Sequence, residues 1–146
     1  MVEEIKEKFS GKWKLDHSDN FDGFMTAMGV NFLIRKMAGM ARPENDIHVE
    51  DDGTIVISTS STFMKNEQKF KLGEEFEEIN NFTKTKFKNM PTYENGCLRI
   101  VPTPVDPVNT PYPEYAEREL TDTGDMCLTL KVGDVICKRY FKKIDS

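Results

Sequence analysis

The chain has 146 residues, a mass of 16.8 kDa and a formal net charge of −5. That length fits one domain, and the acidic balance argues against a nucleic-acid partner, which would need a basic patch to neutralise phosphates. No stretch approaches the ~18 consecutive apolar residues of a membrane span, and Glu3, Glu4, Lys6, Glu7, Lys8 and Lys12 stand where a secretory signal would be apolar, so the cytosol is the expected compartment.

A first strand is expected over 11–17. Helical periodicity follows it. Phe21, Phe24, Met25 and Met28 fall at i, i+3, i+4 and i+7, one apolar face of a short helix, with Asn20 placed to cap its first amides and Gly29 to break it. A second helix reads over 31–41, with Leu33, Ile34, Met37, Ala38 and Ala41 on one side and Pro43 closing it. Together they form a helix-turn-helix unit over about 21–42.

The remainder reads as strands and turns. Segments 46–50 and 54–60 flank Asp51-Asp52-Gly53, and 82–90 and 97–101 flank Glu94-Asn95-Gly96, both hairpin signals. Strands are also expected over 65–71, 74–79 and 115–120, and Gly133-Asp134 joins 126–132 to 135–143. Pro102, Pro104, Pro107, Pro111 and Pro113 make 102–113 a rigid, strand-incompatible turn. About ten short strands at this spacing indicate an all-β barrel or sandwich. Eight strands already close a barrel that can hold one small ligand, so a ten-stranded barrel encloses a cavity.

Period-two alternation in the last strand puts Val135, Cys137, Arg139 and Phe141 on one face and Lys138, Tyr140 and Lys142 on the other. Arg139 thus stands among apolar neighbours, where a guanidinium needs an anionic partner; the competing reading is a surface arginine with its stem packed. Arg118 alternates with Ala116 and Leu120 but is flanked by Glu117 and Glu119, so a rim salt bridge competes with a place in the interior. Nucleophilic catalysis, as in a small hydrolase, would need a base beside a Ser or Cys. Only His17 and His48 are available, and neither lies in a catalytic signature. Cys97, Cys127 and Cys137 lack CxxC spacing, which points to reduced thiols and to no metal site; no cofactor is implied.

The run Gly11-Lys-Trp-Lys-Leu-Asp-His-Ser-Asp-Asn-Phe-Asp-Gly-Phe-Met-Thr-Ala-Met28 resembles the N-terminal signature of the cytosolic fatty acid-binding and retinoid-binding protein family. Likeness continues through 35–43, Ser61-Thr62-Phe63, 70–76, Arg118-Glu119-Leu120 and Cys137-Lys138-Arg139, essentially the whole chain. The resemblance implies a ten-stranded antiparallel up-and-down β-barrel of calycin type, capped by a two-helix lid. It further implies a monomeric, non-enzymatic carrier of long-chain fatty acids or similar hydrophobic carboxylates. Retinoic acid or another retinoid is the alternative cargo, although retinol carriers of the family tend to have glutamine where Arg118 and Arg139 stand.

In such proteins two arginines and a tyrosine hold the carboxylate. Arg118 and Arg139 match the arginines, and Phe141 stands where the tyrosine is expected, with Tyr140 adjacent but alternating outward. Phe21, Met25, Val30, Ala38, Ala41, Pro43 and Phe63 match cavity and portal positions, Phe63 at the entrance. The turn over 102–113 is about five residues longer than the family's strand-turn-strand spacing. Arg35, Lys36 and Arg42 against Asp22 give the lid a local positive surplus suited to transient contact with anionic membranes.

Overall fold

The computed structural model describes all residues except 81–83, 108, 110 and 146. In chain order the elements are α1 (Val2–Phe9), β1 (Gly11–Asp19), α2 (Phe21–Ala27), α3 (Phe32–Met40), β2 (Glu44–Val49), β3 (Ile55–Ser60), β4 (Lys65–Phe70), β5 (Phe76–Ile79), β6 (Lys86–Glu94), β7 (Cys97–Pro104), β8 (Tyr115–Leu120), β9 (Met126–Val132) and β10 (Val135–Asp145). The strands form one antiparallel sheet in the order β4-β3-β2-β1-β10-β9-β8-β7-β6-β5. Every strand therefore lies beside its chain neighbour, β1 closes on β10, and the free edges β4 and β5 face one another. Side chains bridge that seam: Phe70 stacks on Phe76 with centroids 5.0 Å apart, and Glu78 of β5 accepts hydrogen bonds from Asn66 and Gln68 of β4. The expected up-and-down barrel is thus present, open along one seam.

A meander alternates its connections between two ends. The lid helices and the β3–β4, β5–β6, β7–β8 and β9–β10 connections share one end, and α1 shares the other with the remaining turns. Turn chemistry follows the residues. Asn95 (φ 54) and Gly96 (φ 80) both occupy positive φ, as a two-residue type I′ hairpin requires.

The end opposite the lid is filled. Ile5, Phe9, Trp13, Leu15, Ile47, Ile55, Ile57, Phe70, Tyr93, Leu98, Ile100, Met126 and Phe141 form the main core. Helix α1 was not foreseen: five of its eight residues are charged, and its apolar stripe, Val2, Ile5 and Phe9 at i, i+3 and i+7, is short and interrupted by those charges. Ile5 and Phe9 are nevertheless fully buried, and the Phe9 carbonyl accepts a 2.9 Å bond from Trp13 Nε1.

Four further expectations need correction. Asn20 does not cap α2; it adopts a left-handed conformation and its side chain donates instead to the Ile136 carbonyl at 3.2 Å. Asn31 does cap α3, accepting from the Ile34 amide at 3.0 Å. The stripe expected on the second helix is not packed: no residue of α3 is fully buried, and Leu33, Ile34 and Met37 are exposed.

The strand-incompatible turn begins later than 102, because β7 runs through Pro102 and Pro104. Both prolines share the parity of Ile100, the last β7 residue that pairs with β8, so their missing amides face a side where no partner strand remains. The strand expected from 82 begins at Lys86; residues 82–83 lie outside the described residues.

Candidate carboxylate site inside the barrel

Pairing across β7, β8, β9, β10 and β1 aligns Leu98, Arg118, Leu128, Arg139 and Ser18 in one row. The two arginines therefore sit two strand spacings apart, roughly 10 Å, with Leu128 between them. Sequence alternation explains Arg118 and Arg139. Ser18 enters the row through a bulge in β1: Leu15 pairs with Phe141 but His17 with Tyr140, so Asp16 is the extra residue and the inward parity changes after it.

Arg118 is 7% exposed. Its Nη2 donates across the barrel to Asn45 Oδ1 on β2 at 3.3 Å, while its Nε is buried without a partner. Burial pushes the guanidinium down to about 10, partly opposed by the carboxylate of Glu78. The rim salt bridge with Glu117 or Glu119 does not form; Glu117 pairs with Arg99 and Glu119 accepts from the Cys97 thiol. Arg139 donates from Nε to Ser18 Oγ at 3.0 Å, and its guanidinium lies 3.7 Å from the centroid of the Phe21 ring. Burial pushes Arg139 down to about 10 as well, with a smaller contribution from the positive charge of Arg42.

At neutral pH both guanidiniums remain charged, because a base with a pKa near 10 loses its proton only well above pH 7. Two interior cations whose partners are neutral hydroxyl and amide groups form a site complementary to an anion. Beside Arg139 a cleft of about 440 Å³ opens under the lid, lined by Leu15, Ser18, Phe21, Met25, Arg42 and Arg139 itself.

The other expected positions fall around this centre. Phe141 lies one inner row away with Leu15 and Met126, fully packed in the main core, where its ring supplies contact and no hydroxyl. Tyr140 is on the opposite face, stacked on His17 at 4.7 Å, and does not join the arginines. Phe21 and Met25 line the cleft; Val30 and Ala38 pack with Met25 in the lid cluster of Phe24, Met28, Val132 and Cys137. Ala41 lines a neighbouring cleft with Met40 and Arg42. Pro43 is buried and its carbonyl accepts from the Leu15 amide, whereas Phe63 is half exposed in the β3–β4 turn at the lid end.

With this geometry in view, comparison with known proteins is direct. The family described as lipocalin / cytosolic fatty-acid binding protein matches residues 10–143. The chain belongs to that family. Cellular retinoic acid-binding protein 2 of Rattus norvegicus is 36% identical over 142 residues, covering 91% of this chain and 96% of its relative. The adipocyte fatty acid-binding protein of Pygoscelis papua is 44% identical over 95 residues, covering 65% of this chain and 70% of that one. Among solved structures, apo lipid binding protein 8 of Caenorhabditis elegans superposes with a TM-score of 0.85 at 33% identity, covering 94% of this chain and 96% of the other.

This lipocalin/fatty-acid binding chain also carries interior polar groups that sequence reading missed: Ser18, Asn45, Glu78 and Asn89. Asn45 was discoverable, since it alternates with Ile47 and Val49. Glu78 was harder to read: it alternates with Phe76, but Ile79 gives the opposite parity an equal apolar claim in a strand of four residues.

Proposed function

We propose that the chain binds one long-chain fatty acid, or a hydrophobic carboxylate of similar size, and carries it without turnover. The carboxylate lies between Arg139 and Arg118 and the hydrocarbon passes from the cleft under the lid into the barrel. The observation that carries this reading is the pair of inward arginines in one cross-strand row, each bonded only to a neutral group among the described residues. Relatives named for fatty acids and for retinoic acid support a carboxylate headgroup in either case, and a linear acid is favoured because the space is divided between the lid cleft and a smaller cavity at the seam.

The lid supports delivery as well as entry. Helix α3 leaves Phe32, Leu33, Met37 and Met40 exposed beside Lys36 and Arg42, while Arg35 is held by Asp22 at 3.1 Å. An apolar surface next to cations suits transient contact of a monomeric carrier with an anionic bilayer.

Substituting the anchor tests the function. Arg139→Gln should weaken fatty-acid binding by about tenfold to a hundredfold, the usual range for a partly hydrated ion pair, while leaving the matching fatty alcohol nearly unaffected. Displacement of an anilinonaphthalene-type probe from delipidated protein measures both. Equal losses for acid and alcohol would place the headgroup elsewhere.

A further inference from the structure

A second polar centre lies at the seam, on the other side of Arg118 from the lid cleft. Glu78 Oε1 accepts from Gln68 Nε2 at 3.0 Å and from Asn89 Nδ2 at 2.8 Å, and its Oε2 accepts from Asn66 Nδ2 at 3.1 Å. A carboxylate offers about four lone-pair sites, so among the described residues these three bonds leave one acceptor position open, on Oε2. Glu78, Gln68 and Asn89 line a cavity of about 120 Å³ whose apolar walls include Phe87, Ile100 and Pro113. Pro113 belongs to the long proline-rich connection, and Tyr112 beside it packs on Phe87 with ring centroids 5.4 Å apart, so that connection walls this cavity.

We infer that this cavity receives a hydrogen-bond donor carried on the ligand's chain, so that the protein selects hydroxylated long-chain carboxylates over unsubstituted ones. The inference rests on the carboxylate-binding reading above and adds a second point of recognition to it. Three physical facts carry it. The Glu78 carboxylate offsets Arg118, whereas Arg139, with Arg42 beside it in the lid cleft, keeps a positive surplus that takes the ligand's headgroup. A second carboxylate on the ligand would meet Glu78 with like charge, so the distal group is neutral. A plain methylene chain laid against Glu78 would strip water from its open lone pair and return nothing, whereas a hydroxyl there makes a charge-assisted bond.

Because the two polar centres are fixed on the barrel, the distance between headgroup and hydroxyl is fixed as well. Delipidated protein titrated with octadecanoic acid and with a series of monohydroxy-octadecanoic acids, by probe displacement, should therefore show one preferred hydroxyl position, bound about tenfold more tightly than the plain acid. A series that is flat, or weaker than the plain acid at every position, overturns the inference while leaving carboxylate binding intact. Failure of every acid to bind overturns the carboxylate reading itself, and this inference with it. Glu78→Gln keeps the side-chain shape and removes the charged acceptor; it should reduce the preference below about threefold while the plain acid still binds. A preference that survives in Glu78→Gln assigns the hydroxyl to another group and overturns the role of Glu78. If that variant does not fold, the positional series on the unaltered protein decides.

Discussion

Helices α1 and α3 have similar lengths and cover opposite ends of the barrel. Helix α1 carries Glu3, Glu4, Lys6, Glu7 and Lys8, yet its Ile5 and Phe9 are completely buried against Trp13 and the main core. Helix α3 is the more apolar of the two, yet buries no residue fully; Phe32, Leu33 and Met40 are each about two-thirds exposed or more. Hydrophobicity alone would have predicted the reverse. The difference comes from what each end offers: α1 meets a packed interior with two matching apolar side chains, whereas α3 rests over the open cleft beside Arg139. Helix α2 takes the intermediate part, anchoring the lid through Phe24, Met25 and Met28 against Val132 and Cys137.

The contrast is most easily broken at α1. Phe9→Ala should cost about 3–5 kcal/mol, the usual loss for emptying a fully buried aromatic site, and a urea titration measures it. A loss below about 1 kcal/mol would mean that the closed end is not the stabilising end.

A thiol near each end gives a second measure. Cys97 follows the β6–β7 turn beside α1, and burial, aided by the Glu119 carboxylate, pushes its thiol up to about 12; burial pushes Cys137, beneath α2, up to about 11. A raised thiol pKa disfavours the reactive thiolate at neutral pH. Alkylation of either cysteine in the folded protein should therefore rise about tenfold per pH unit from pH 8 to pH 10, where an ordinary thiol with a pKa near 8.5 would level off. A plateau near pH 9, read by mass spectrometry of the alkylated peptides, would contradict the buried environments.

The smallest expected change in stability lies on α3. Leu33→Ser combined with Met37→Ser should shift unfolding by no more than about 0.5 kcal/mol, because both side chains already face solvent. The same pair should slow transfer of a fluorescent fatty acid to anionic vesicles several-fold. Unchanged transfer would remove the membrane-contact role from α3, and marked destabilisation would show that α3 packs as α1 does.

The local order of the chain was legible without coordinates. Strands 115–120 and 126–132 were read at their observed bounds, because alternation and turn residues act within a few positions. Arg139 was readable as an interior cation for the same reason, since its alternation with Cys137 and Phe141 assigns a face whatever the partner strand. What depended on tertiary structure is whatever requires two distant segments to meet. Asn45 reaches Arg118 across the barrel, Ser18 reaches Arg139 through a bulge that one extra residue creates, and Glu78 becomes interior only because β4 and β5 leave a seam for it to bridge. Even Ile5 and Phe9 count as core only once the closed end exists to receive them. Sequence periodicity specifies which way a side chain points from its own strand or helix; whether it meets solvent, an apolar core or an arginine depends on the closure of the barrel around it.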